Sequence, residues 1–176
     1  MNPTRPAERA AARNFPAAPV VEANVMALQK LDLSTSYPAS VKQKLFGLVQ
    51  LKRTLDKGVA AAHGTIGEYH YDCPMDKALF AFTGLEAEPL MDVIKKAQSE
   101  AEIEAYVTPF VDKKSPAEIE AWNAQWLKQG PPEGSPGHAY FLELRGQLAP
   151  DRTDITAWPD LLDLDEKRDV PRVVNA

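Results

Sequence analysis

The sequence has little sulfur, little positive charge and almost no β patterning. One cysteine, Cys73, stands in 176 residues, so the chain holds no internal disulfide framework. No apolar run approaches the roughly 18–20 residues that a membrane span needs. Met1–Leu31 carries no apolar signal segment. Together these features lead us to expect a cytoplasmic chain with no membrane partner. Lys and Arg number 20 against 25 Asp and Glu, a net charge of −5, which argues against nucleic acid as a partner. No P-loop, no Gly-x-Gly-x-x-Gly after a strand and no Gly-x-Ser-x-Gly elbow occurs. Nucleotide-driven chemistry is therefore disfavoured, and no cofactor is expected. Period-two alternation is nearly absent, which points away from sheets.

What is present is helical periodicity. Residues 1–39 read as a flexible arm rich in Ala, Pro and Arg, with a short helix around Val21, Val25 and Leu28. A helical domain is expected over 40–166 and a tail over 167–176. From Ser40 as N-cap, the spacing of Val41, Leu45, Leu48, Leu51, Leu55 and Val59 predicts one long helix running to Gly64. Pro74 opens the next, at a position where its missing N–H costs nothing, and Gly84 closes it. Leu90, Val93 and Ile94 mark a short helix. Ser99 with Glu102 and Ser115 with Glu118 have capping-box spacing. Tyr140, Phe141, Leu144 and Leu148 mark another helix. Short turns follow around Trp158-Pro159 and Leu161-Leu162. The fold class is all-α: a single helical domain of about six helices, with at most one short β piece near residues 64–72.

The densest chemistry lies in Gly64-Thr-Ile-Gly-Glu68-Tyr69-His70-Tyr71-Asp72-Cys73-Pro74, between two helices, where functional loops are commonly held. If residues 67–73 run extended, Glu68, His70 and Asp72 share one face and Tyr69, Tyr71 and Cys73 the other. A histidine flanked by carboxylates has the parts for acid–base work, so Glu68 and His70 are the candidate catalytic pair. Glu68 also has simpler roles open to it, as an ion-pair partner of Arg53 or Lys57 or as a solvated side chain. His70 has an equal claim to a structural role, hydrogen bonding a loop carbonyl. Cys73, at a helix start, is a candidate nucleophile; lone cysteines are often only small buried hydrophobes. A metal held by Glu68, His70, Asp72 and Cys73 with His63 strains the geometry zinc requires. No metal is therefore assigned. Tyr69 and Tyr71 are candidate substrate contacts, as are Arg53, Arg152 and Asp154. A guanidinium suits a carboxylate or phosphate, although Arg152 enclosed by acids also reads as a structural pair. Trp122, Trp126 and Trp158 read as core anchors.

Three segments carry a resemblance: Leu51-Lys-Arg53-Thr-Leu-Asp56-Lys57, Gly64 through Asp76, and Asp151-Arg152-Thr153-Asp154-Ile-Thr-Ala-Trp158. With Ser115-Pro-Ala-Glu-Ile-Glu-Ala-Trp122-Asn123, their order and spacing resemble the DUF5069 family of small bacterial proteins of unknown function. The likeness spans roughly residues 40–166. It implies a single bacterial domain and assigns no chemistry. Val59 stands where the resemblance would place an arginine.

The function expected from these residues is a cofactor-independent enzyme, an isomerase, lyase or hydrolase, working by acid–base chemistry on a small polar or anionic metabolite. The rival is a non-catalytic interaction or oligomerisation module, a homodimer joined through the N-terminal arm. A metal-dependent hydrolase is a third reading.

Overall fold

The computed structural model describes Leu28 and residues 30–172. The expected helix at Val21–Leu28 and most of the arm lie outside them. Among the described residues the chain forms seven helices: α1 (Leu51–Ala62), α2 (Pro74–Thr83), α3 (Ala87–Lys96), α4 (Glu100–Val111), α5 (Pro116–Trp126), α6 (Pro136–Leu148) and α7 (Trp158–Asp165). The all-α expectation holds. The turns anticipated around Trp158 and Leu161 are a true helix, α7, which makes seven.

The main core joins α1 to α4. Leu51, Leu55 and Val59 of α1 meet Leu79 and Phe80 of α2, Leu90 and Ile94 of α3, and Ile103, Val107 and Val111 of α4. Gly58 allows α1 and α3 to approach closely, because a Cβ there would stand 2.6 Å from Ile94 Cδ1. A second cluster holds Phe141, Ile155, Leu161 and Val170. Val41, Val49 and Trp126 form a third. Trp122 and Trp126 stack with centroids 5.0 Å apart, and Trp158 meets Phe141 edge-on at 4.9 Å. All three tryptophans are packing residues, as expected.

Two helix starts differ from the pattern. The long helix expected from Ser40 begins only at Leu51. Residues 45–48 instead form a tight antiparallel bridge, with Phe46, Gly47 and Gln50 at positive φ. The cause is tertiary. Buried Asn123 of α5 accepts from Val49 N at 3.0 Å and donates to Gly47 O at 2.8 Å, supplying the partners a helix would otherwise give that backbone. At α4, Ser99 is the N-cap but makes no side-chain cap; Glu102 accepts from Gln98 N instead. The Ser115–Glu118 capping box forms as expected, and Pro74 and Gly84 bound α2 as predicted.

Candidate functional site

The loop between α1 and α2 is a series of turns, not an extended strand. Gly64, Gly67 and Asp72 all take positive φ, so the alternation of faces expected for residues 67–73 does not arise. Gly67 is required twice over. Its φ is +63°, and a Cβ would come within 2.7 Å of Leu33 O. That close approach brings the 31–37 segment against the loop, where Leu33 N donates to Thr65 O at 2.8 Å and Thr65 Oγ1 to Leu31 O at 2.7 Å.

Buried charge pins the loop from below. Lys57, one turn after Arg53 on α1, donates to Asp76 Oδ2 at 2.7 Å, to His70 O at 3.1 Å and to Cys73 Sγ at 3.2 Å. Asp76 Oδ1 accepts from Thr54 Oγ1 at 2.7 Å and from Gln50 Nε2 at 3.2 Å. Oδ2 also accepts from Cys73 N at 3.3 Å, so cysteine stands where a capping box usually has serine. Gln50, Thr54, Lys57 and Asp76 are all buried. Buried ions must be paired and hydrogen bonded to be tolerated, and this ammonium and carboxylate are. Among the described residues, Gln50 Oε1 alone in the cluster has no partner.

A second buried pair lies beside it. Arg53 grips Glu166 with two hydrogen bonds, 2.9 and 2.6 Å, and also donates to Ala39 O at 3.1 Å. Burial alone would lower the guanidinium's pKa, but the hydrogen bonds and charge of Glu166 outweigh it and hold the value above ordinary. Tyr69 donates to Glu166 Oε1 at 2.9 Å and lies 5.5 Å below the Arg53 guanidinium. Burial, and then the neighbouring Glu166, push its phenol well above the usual tyrosine range. Tyr71 donates to Ala87 O at 3.0 Å. Its phenol is raised too, by burial first and by Asp76 and Asp72 after it. Arg168 extends the pair by bonding Glu166 and Pro38 O.

Arg53 and Tyr69 are thus brought together, on a carboxylate that sequence reasoning did not single out. The structure gives Lys57 and Arg53 to Asp76 and Glu166, not to Glu68. Arg152 pairs with Asp154 through bonds of 2.8 and 2.9 Å and also donates to Val170 O; it ties the C-terminal segment to the turn before α7. Glu68 and His70 are exposed. Among the described residues neither side chain has a hydrogen-bond or ion-pair partner, and only the His70 carbonyl serves the Lys57 cluster. Cys73 is half-buried. His63 turns its Nδ1 to Val59 O at 2.8 Å. Among the described residues no group of three or more His, Cys, Asp or Glu side chains is arranged to hold a metal ion. None of the described helices is long and apolar enough to cross a membrane.

The loop borders three hollows. Gly67 and Glu68 face a groove of about 340 Å³, whose other side is Leu33, Ser34, Thr35, Ser36 and Tyr37. Tyr71 and Asp72 line a hollow of about 370 Å³ against α3. Pro74 and Met75 line a smaller one, about 140 Å³, beside Trp126 and Trp158. The Lys57–Asp76 contact had one legible signal, the Cys73-x-x-Asp76 capping spacing. Glu166 had none, since it stands among acids of an ordinary helix end.

Comparison with curated proteins finds none that matches this chain. The family comparison covers the pinned loop, both buried ion pairs and α7. Residues 35–168 match the family model described as a domain of unknown function, DUF5069, and the chain belongs to that family.

Proposed function

We propose that this protein is an enzyme that works by acid–base chemistry, without a nucleotide cofactor, on a small polar metabolite held at the 64–74 loop. One observation carries the reading. Buried ion pairs hold the loop rigidly while it presents Glu68, unpaired among the described residues, to a groove of about 340 Å³. Small-molecule sites begin at about that volume, and catalytic groups need a backbone fixed by its surroundings.

Glu68 takes the proton in this reading. His70, exposed two residues along, is the second proton carrier in this reading. The facing wall carries the hydroxyls of Ser34, Thr35 and Ser36, which donate to Asp32 and keep acceptor capacity, together with Tyr37, and this favours a hydroxyl-bearing substrate. Arg53 and Arg152 are engaged by Glu166 and Asp154, so we assign them, with Tyr69, to positioning the loop and the C-terminal segment. The same allocation makes a neutral polar substrate the better fit than an anion.

The test is a thermal-shift screen of metabolites sorted by class on wild type, Glu68→Gln and His70→Ala. Both side chains are exposed and without partners among the described residues, so both variants should melt with wild type. A ligand that binds the folded state raises the melting temperature by mass action. We expect a polyol or sugar-like hit, its turnover lost in Glu68→Gln and reduced in His70→Ala. Equal turnover in all three proteins would sink the assignment.

A further inference from the structure

A separate cavity opens between α1, α4 and the chain segment leading into α1. Its walls are aliphatic: Leu31, Leu45, Leu55, Val59 and Ile103. Its volume is about 140 Å³, close to cavities that hold a single six-membered ring.

The charged residues at this cavity do not balance. Lys52 bonds Asp56 at 2.5 Å and stands 3.8 Å from Glu100. The other Asp56 oxygen accepts from Ala39 N at 2.8 Å, so Asp56 is satisfied. Glu104 lines the same cavity; its charge also acts on Lys52, but among the described residues its carboxylate makes no hydrogen bond and no ion pair within 4 Å. Three carboxylates thus share one ammonium at the edge of an apolar space. An anion meets repulsion there. A neutral apolar guest leaves the excess negative charge beside a low-dielectric surface, where charge is costly. A cation with an apolar body answers both features.

We propose that this cavity binds a small organic ammonium, its ring or branched alkyl body among Leu55, Val59 and Ile103 and its charge between Glu100 and Glu104. The site is independent of the reading given for the groove at Glu68, and either stands if the other falls. The guest is of the arylalkylamine or alkylamine class, with a body of about six carbons set by the cavity volume.

Methyl-detected NMR titration of the full chain with benzylammonium tests this, using benzyl alcohol as the neutral match in shape and benzoate as the anion. Benzylammonium should saturate shifts at the methyl groups of Leu55, Val59 and Ile103. Benzyl alcohol should bind about tenfold more weakly, and benzoate should leave those methyls unmoved. High salt should weaken the ammonium alone, because exposed charges are screened. Glu104→Gln and Glu100→Gln change partly or fully exposed side chains; each should reduce affinity several-fold, and together about tenfold. Equal binding of the alcohol and the ammonium would overturn the proposal. So would unaltered affinity in the double variant, or methyls that do not respond to benzylammonium.

Discussion

Lys57 and Asp76 show what a residue of either sign costs in a helical interior. Both are buried, and each is tolerable only because the other is present. Truncating one partner leaves an uncompensated buried charge, which typically costs about 3–5 kcal/mol. Lys57→Met should therefore lower stability by about that amount in urea unfolding, a large share of the roughly 5–15 kcal/mol of a whole domain. A loss below about 1 kcal/mol would mean that water reaches Asp76 in solution. Tyr69 and Tyr71 give the pH dependence. Both phenols titrate above their ordinary value of 10.0 in the folded chain, and unfolding returns them to it. Above about pH 10 the unfolded state therefore binds fewer protons than the native one, and stability falls as pH rises. Below that value both states keep the proton and these groups contribute no slope. Tyr69→Phe should flatten the alkaline decline in melting temperature, and an unchanged decline would remove Tyr69 from the account.

Among the elements, the approach to α1 is where local pattern and final structure part. The apolar spacing of Val41, Leu45 and Leu48 is helical, and two of these side chains are indeed buried. The backbone nonetheless turns, because Asn123 supplies both a donor and an acceptor across 74 and 76 residues of sequence. Asn123→Ala strands Val49 N and Gly47 O, and a buried unsatisfied group costs about 1–3 kcal/mol. In a domain of this size each kcal/mol is worth roughly 2–4 °C. The variant should melt several degrees lower; a melting point equal to wild type would show that residues 41–50 do not depend on α5. Where caps are local, the pattern was legible at most helix starts, Ser99 of α4 excepted. Ser115 and Gly84 each satisfy an orphan group within a few residues of themselves, and Pro74 removes one by lacking an N–H, so no distant partner can override them.

On the scale of the whole molecule, packing is uneven. Among the described residues the main cluster holds twelve buried residues, ten of them on α1 to α4, while α6 contributes one fully buried residue, Phe141, to a cluster of four. Regions with few buried apolar contacts open first. Amides of α6 should exchange with deuterium at least about tenfold faster than those of α1, and equal protection would mean the chain opens as one unit. Composition and period were enough to determine the all-α class, most helix boundaries and a loop at 64–74 dense in titratable groups between two helices. Those features depend on interactions within a turn or two of the chain. Which acid meets which base was decided only in three dimensions. Arg53 finds Glu166 at a separation of 113 residues, past nearer carboxylates such as Glu68, because Lys42 holds Asp160 and Asp163 of α7 and Arg168 holds Pro38 O, which delivers that side chain to a buried place beside Arg53. A buried ion selects its partner by desolvation and geometry, and neither is written in the spacing of residues along the chain.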